Sequence, residues 1–588
     1  MQRGGASDDR AGDTAVAHGD RGGHPEVADP SPTAAHDSEA GAAHAADAGT
    51  RATPPTWGAV VVGGGVAGLV AARELARGGV AVLVLERGPA PGGAVGAHEV
   101  AGLVLDTGAE SFATRGGSVA ELAGELGLTR RVVLPEPLGA WVQLPRLAGP
   151  LPRAGHLGIP ADPWAEDVRR TIGRAGALRA SLDRVLPAWW APRGRSATLG
   201  SLVRVRFGRR VLDRLVRPVV AGVMAADPDD LAADSASPGL RAALAREGSL
   251  GGAVRSLRAL APAGSAVASF DGGMHVLVDA LVADVVAHGG VVRTGADVTA
   301  VRRAGAVGDG VAGTGAEQRD TSVAHGGAVP SAAVVDDAAE AADRADAGAR
   351  GTEPGAVGGA DLAPQGTSFE VVLRGEPPVS TERLVLATPA APGLLAAGLA
   401  PELAGHRPDA GADVVLATLV LDAPELDAAP RGTGVLVTPD VPGVRAKALT
   451  HASAKWGWVA RAAGPGCHVV RLSYGVADRA PGSVADDPRD LDPAALTSLA
   501  LRDASTLLGV ALRPEQVLGS ARVAWSQSLP RPSAAHRDVV ARVRAAVERL
   551  PGVAVCGAWV AGNGLASVVP DARQAARSLL GNGTTEKP

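Results

Sequence analysis

Residues 60–93, VVVGGGVAGLVAARELARGGVAVLVLERGPAPGG, constrain this 588-residue chain more than any other stretch. The apolar run Ala59–Val62 suits a parallel strand buried on both faces. Gly63, Gly65 and Gly68 come next as G-x-G-x-x-G, helix-compatible residues fill 67–77, and a second apolar run, 80–85, ends at Glu86. Each part has a physical task. Gly63 permits the tight turn, Gly65 lets backbone approach a pyrophosphate, and Gly68 lets helix and strand pack closely. A helix N-terminus offers free N–H groups and the positive end of its dipole to phosphates. Glu86, 18 residues after Gly68, can accept hydrogen bonds from ribose hydroxyls. In a chain with 79 glycines the glycine spacing alone would decide little, but strand, turn, helix, strand and acid all fall in register. The stretch reads as a dinucleotide-binding βαβ unit.

Composition divides the remainder. Residues 1–56 are rich in Ala, Gly, Asp, His and Pro and cannot bury enough apolar surface to offset ordering entropy, so they read as a disordered tail. They lack the basic start and apolar stretch of a signal peptide. Residues 304–366 read as a second disordered segment, inserted between two strand-like runs, VRTGADVTAVRR and SFEVVLRG, where a long hairpin tip adds little closure entropy. Both segments are acidic, so although the chain carries net charge −5, its folded part is mildly basic. That suits a polyanionic small substrate or an acidic surface without choosing between them. Arginines scattered among acids, with no aromatic platform, give no support for nucleic-acid binding.

Cys467 and Cys556 stand alone in apolar surroundings, as buried thiols of a reducing cytoplasm would. No C-x-x-C or metal-ligand cluster occurs. The nearest approach to a membrane span, residues 384–401, is broken by prolines. Residues 131–240 read as mainly helical, with Leu199, Leu202, Val203, Phe207, Val211, Leu212, Leu215 and Val219 as a core stripe at helical spacing. Residues 411–475 alternate as antiparallel strands do. The fold class expected is α/β with α+β elements: a Rossmann-like dinucleotide domain, a mixed-sheet substrate domain and a helical subdomain. The dinucleotide domain is expected from 57–130, 241–303 and 501–580, the helical subdomain from 131–240, and the substrate sheet from 367–500.

The βαβ unit by itself fits FAD or NAD. The adjoining residues, ERGPAPGG, carry Glu86 and Arg87 through a short loop to the Gly92–Gly93 pair, and this segment resembles the FAD fingerprint of the amine oxidase and protoporphyrinogen oxidase superfamily. Ala94 stands where that family usually has Arg or Lys. Further landmarks are LDTGAESF (105–112), RFGRRVLDRLVRPVVAGVMAADPDDL (206–231), FDGGMHVLVDAL (270–281), KALTHASAKWGW (447–458), VAWSQSLPRP (523–532) and VAVCGAWVAGNGLASVVPDARQAA (553–576). In this order they resemble the bacterial protoporphyrinogen and coproporphyrinogen oxidase family, over about residues 57–300 and 367–580.

The resemblance implies non-covalent FAD and oxidation of a porphyrinogen to a porphyrin, with dioxygen as acceptor and hydrogen peroxide as product. It implies that Gly108, Ala109, Glu110 and Ser111 lie near the isoalloxazine. Val298 would meet the adenine through its backbone, and Trp525 with Val568 and Val569 would complete the flavin pocket. No acid–base residue is assigned, because the cofactor carries the chemistry. Arg115 is the position chosen for a substrate carboxylate, since guanidinium and carboxylate pair through two parallel hydrogen bonds; the alternative is a solvated loop arginine. A basic folded part and the lack of a membrane span favour coproporphyrinogen III, with four propionates, over protoporphyrinogen IX. Competing readings are a flavin amine oxidase, a carotenoid desaturase, and a non-enzymatic flavin-binding partner of haem synthesis. An aromatic cage built of tyrosine is disfavoured, because Tyr474 is the only Tyr. A transient complex with a ferrochelatase-type enzyme and peripheral membrane contact are both compatible with the sequence.

Overall fold

The computed structural model describes residues 56–187, 190, 192, 197–224, 226–259, 267–305, 368–409, 411–475, 487–529 and 533–581. Residues 1–55 of the expected tail, and the expected insertion beyond residue 305, lie outside them.

A five-stranded, wholly parallel sheet runs in the order Val291–Arg293, Val82–Leu85, Ala59–Val62, Leu384–Leu386, Val553–Val555. Its central strands are apolar at every position because both faces are covered. Ala59 and Val61 face one core with helices Val66–Arg77, His275–Ala287 and Leu565–Leu580. Val60 and Val62 face the other, with Leu394, Leu395, Val543 and Leu550. Burying one such side chain contributes about 1.5–3 kcal/mol.

Domain membership differs from the expectation in two places. Strand Leu384–Leu386 and the antiparallel strands Phe369–Leu373 and Val379–Thr381 pack with the dinucleotide unit, not with the substrate sheet. Strand Val517–Leu529 instead joins the seven-stranded sheet, pairing antiparallel with Ala412–Asp422. Val298–Arg303 and Phe369–Leu373 form an antiparallel pair, with Arg303 opposite Phe369.

The seven-stranded sheet has the order Val517–Leu529, Ala412–Asp422, Cys467–Gly475, Ala448–His451, Gly434–Val437, Trp141–Leu144, Leu147–Pro150. All neighbours are antiparallel except Gly434–Val437 with Trp141–Leu144. The start of the expected helical segment is therefore extended, not helical. Trp141–Leu144 alternates half-buried and buried, the period-two pattern of a strand.

The helices begin with Glu166–Ser181 and continue through Leu250–Ala259, past the expected boundary at 240, because Leu240, Leu244, Leu250 and Val254 belong to the same core as Leu199 and Leu215. The predicted stripe is buried except at its end: Val216 and Val220 turn inward and Val219 is half-buried. The cause is a π-helical turn over Leu212–Val216, which shifts the helical phase. Within this core Arg206 is wholly buried, and all of its nitrogens are engaged. Nε donates to Asp183 Oδ1 at 2.6 Å, Nη1 to the Leu186 and Pro187 carbonyls, and Nη2 to those of Asp183 and Gly248. A buried charge is tolerated when it is paired and fully hydrogen-bonded in this way.

Candidate cofactor and substrate site

The site begins where Ala59–Val62 ends. Gly63 adopts φ 106°, and a Cβ there would lie 2.8 Å from the Ala387 carbonyl oxygen. Gly68 has no room for any side chain, since its Cβ would meet the Gly63 carbonyl oxygen at 1.9 Å. Gly65 is the opposite case. It forms the N-cap of Val66–Arg77 in extended conformation, has no side-chain cap, and nothing lies within 4 Å of where its Cβ would be. The helix N-terminus thus opens onto free space bordered by backbone, as a pyrophosphate requires.

Glu86 closes the loop. Its Oε2 accepts from the Gly64 amide and its Oε1 from the Gly88 amide, both at 2.7 Å. Each carboxylate oxygen keeps a further lone pair for a hydroxyl. Ala296 donates its amide to the Glu86 carbonyl and Gly295 to that of Gly88, which brings the start of strand Val298–Arg303, and so Val298, to the same end of the site. Gly93 sits with its Cβ position 3.4 Å from Gly65 Cα, on the rim of the open space; Arg87 is exposed.

Residues 106–111 form the next wall. The Trp525 indole donates to the Thr107 carbonyl at 2.9 Å, and Arg471 Nη1 donates to the Gly108 carbonyl at 2.9 Å. Ala109 donates its amide to Ala94. The amides of Glu110 and Ser111 have no partner among the described residues. The Glu110 side chain does not point to an open cofactor position: Oε1 accepts from Lys455 Nζ at 2.5 Å and Oε2 from Arg471 Nη2 at 2.8 Å. Burial raises the Glu110 carboxyl, but Lys455 and Arg471 outweigh it and bring it down to about 2. Neighbouring Asp106 goes the other way. Burial pushes it up to about 7, against the Met274 amide that donates to Oδ1 at 2.8 Å.

Val568 and Val569 lie in the first turns of helix Leu565–Leu580 with side chains in the core, so only their backbone can face a cofactor. Gly564, at φ 99°, caps that helix without a side-chain bond. Arg115 is exposed and has no acidic partner among the described residues. It lies close enough to His156 that burial, then Arg115 and Arg258, hold that imidazole below its usual value. Sequence reading missed Lys455, Arg471 and Asp106 as site residues; the motif containing Lys455 was visible, but its contact with Glu110, 345 residues away, was not.

The residues present fit a dinucleotide: an uncapped helix end, an open glycine position and an acid at the end of the second strand. The model of the family described as flavin containing amine oxidoreductase matches residues 66–339. Coproporphyrinogen III oxidase of Mycobacterium leprae (strain TN) is 28% identical over 527 residues, covering 88% of this chain and 97% of that protein. A chloroplastic protoporphyrinogen oxidase of Oryza sativa subsp. japonica is 31% identical over 248 residues, covering 38% of this chain and 43% of that protein. The crystal structure of a candidate protoporphyrinogen oxidase from Exiguobacterium sp. 255-15 superposes with TM-score 0.66 at 21% identity, over 89% of this chain and 98% of that one, a likeness of fold. The protein is thus a flavin-dependent oxidase with mixed α and β architecture. No helix among the described residues is long and apolar enough to cross a membrane, and no group of metal-ligating side chains occurs among them.

Proposed function

We propose that this chain oxidises coproporphyrinogen III to coproporphyrin III on non-covalently held FAD, in the cytoplasm, with dioxygen as acceptor. The observation that carries the reading is the similarity to a coproporphyrinogen III oxidase across 97% of that protein's length. Removing six electrons and six protons from the substrate consumes three dioxygen and yields three hydrogen peroxide. Bound flavin supplies hydride acceptance and reaction with dioxygen.

The chain's own residues bind, orient and shield. Gly63, Gly65 and Gly68 with the adjoining helix end receive the pyrophosphate, and Glu86 the ribose. The free amides of Glu110 and Ser111 and the indole of Trp525 border the position of the ring system. Arg115, exposed and without an acid among the described residues, receives one propionate; charge-assisted pairs of this kind are the strong ones. Cys556, whose thiol lies against the Ala67 carbonyl at the start of helix Val66–Arg77, is wholly buried and pushed up by burial, and so offers no thiolate to a flavin ring.

The test mixes purified protein in air with coproporphyrinogen III and, separately, protoporphyrinogen IX, and follows porphyrin fluorescence and peroxide. A faster rise on the first is expected. A faster rise on the second would move the reaction to the later porphyrinogen, and no rise above autoxidation would overturn both.

A further inference from the structure

The turn at residues 106–111 is held from the seven-stranded sheet and the helix beside it. Arg471, on strand Cys467–Gly475, donates to the Gly108 carbonyl at 2.9 Å and to Glu110 at 2.8 Å. Lys455, the last residue of helix Ala452–Lys455, donates to the other Glu110 oxygen at 2.5 Å. All three side chains are less than one-fifth exposed. Neither cation has a second carboxylate in an ion pair among the described residues, although the buried Asp106 carboxyl lies near enough to Arg471 and Glu110 to interact with both.

We propose that Glu110 is a positioning residue: it clamps this turn between Lys455 and Arg471, and the charge balance of the clamp sets how readily the bound flavin accepts electrons. The proposal rests on the reading that the ring lies against residues 108–111. Reduction adds negative charge to the ring, and a charge change in a low-dielectric wall acts on it more strongly than it would through water. Removing Glu110's charge makes the wall more positive and favours the reduced cofactor. Removing Lys455's charge does the reverse. Removing both restores the original balance. A purely structural clamp makes a different forecast, because breaking it from either side loosens the same turn and moves the cofactor the same way.

The experiment measures the flavin reduction potential of the full-length holoprotein at about pH 9, where Asp106 is ionised, for wild type, Glu110→Gln, Lys455→Met and the double variant. The expected order is Lys455→Met lowest, wild type and double variant together, and Glu110→Gln highest. Each single step should be about tenfold in the reduced-to-oxidised ratio, or about 30 mV for a two-electron couple. Single variants that shift in the same direction, or not at all, overturn the proposal. Should Glu110→Gln fail to fold, Lys455→Arg retains the charge and must keep the wild-type potential while Lys455→Met falls below it; equal values overturn the proposal. No porphyrinogen enters this measurement. The expected order in a protein inert towards coproporphyrinogen III would therefore overturn the substrate reading alone.

Discussion

At the scale of single residues three carboxyl groups, Glu86, Asp106 and Glu110, have different tasks. Glu86 spends its charge on two backbone amides that shape the glycine loop, so Glu86→Ala should release flavin as well as destabilise the turn. Normal flavin occupancy in that variant, read from its visible spectrum, would contradict the assignment. Asp106 is raised to about 7 by burial, so the folded protein holds that proton more tightly than the unfolded chain. The stability this lends is complete below the unfolded value near 4 and disappears as pH rises through about 7. Asp106→Asn should therefore flatten the decline in urea midpoint between about pH 4 and 7 relative to wild type; an unchanged slope would count against a protonated Asp106. For Arg115, loss of a charged hydrogen bond costs about 1.5–3 kcal/mol, so Arg115→Ala should raise KM for the tetracarboxylate about tenfold or more with kcat little changed. The glycine roles and Glu86 were legible because they are local in sequence. Glu110 was legible only as a position. Its partners are 345 and 361 residues away, and no spacing rule connects them.

At the scale of elements, the strong periodicities were readable and the irregular ones were not. The helical stripe from Leu199 to Leu215 is buried as its spacing requires, and the slip at Val219 comes from one π-helical turn that no periodic template contains. The strands between residues 132 and 160 are two to four residues long, too short to impose alternation against an arginine-rich background. The helical unit is pinned by Arg206, whose nitrogens are all engaged inside its core. Removing one partner of a buried pair costs about 3–5 kcal/mol, so Arg206→Ala should lower the unfolding free energy by that amount, read from urea denaturation. A variant as stable as wild type would show that the pair is dispensable for the unit's stability.

At the scale of the whole molecule, the dinucleotide unit is assembled from distant parts of the chain. Strand Ala59–Val62 pairs on one side with Val82–Leu85 and on the other with Leu384–Leu386, which in turn pairs with Val553–Val555. Parallel pairing needs crossovers, and here the crossovers contain the helical unit and the seven-stranded sheet. That nesting explains why the order of motifs was legible while the domain boundaries were not: Leu384–Leu386 and Val517–Leu529 each belong to the sheet their sequence neighbourhood did not suggest. It also explains how two sheets come to share one wall, with Arg471 and Trp525 of the larger sheet gripping residues 107–110. On the proposed function this wall presents a flavin to a porphyrinogen. The most direct measurement adds coproporphyrinogen III to the purified protein without dioxygen and records the flavin's visible band. Bleaching by substrate, with recovery of the band when air is admitted, is the result expected. An FAD band that coproporphyrinogen III leaves unchanged would contradict the account.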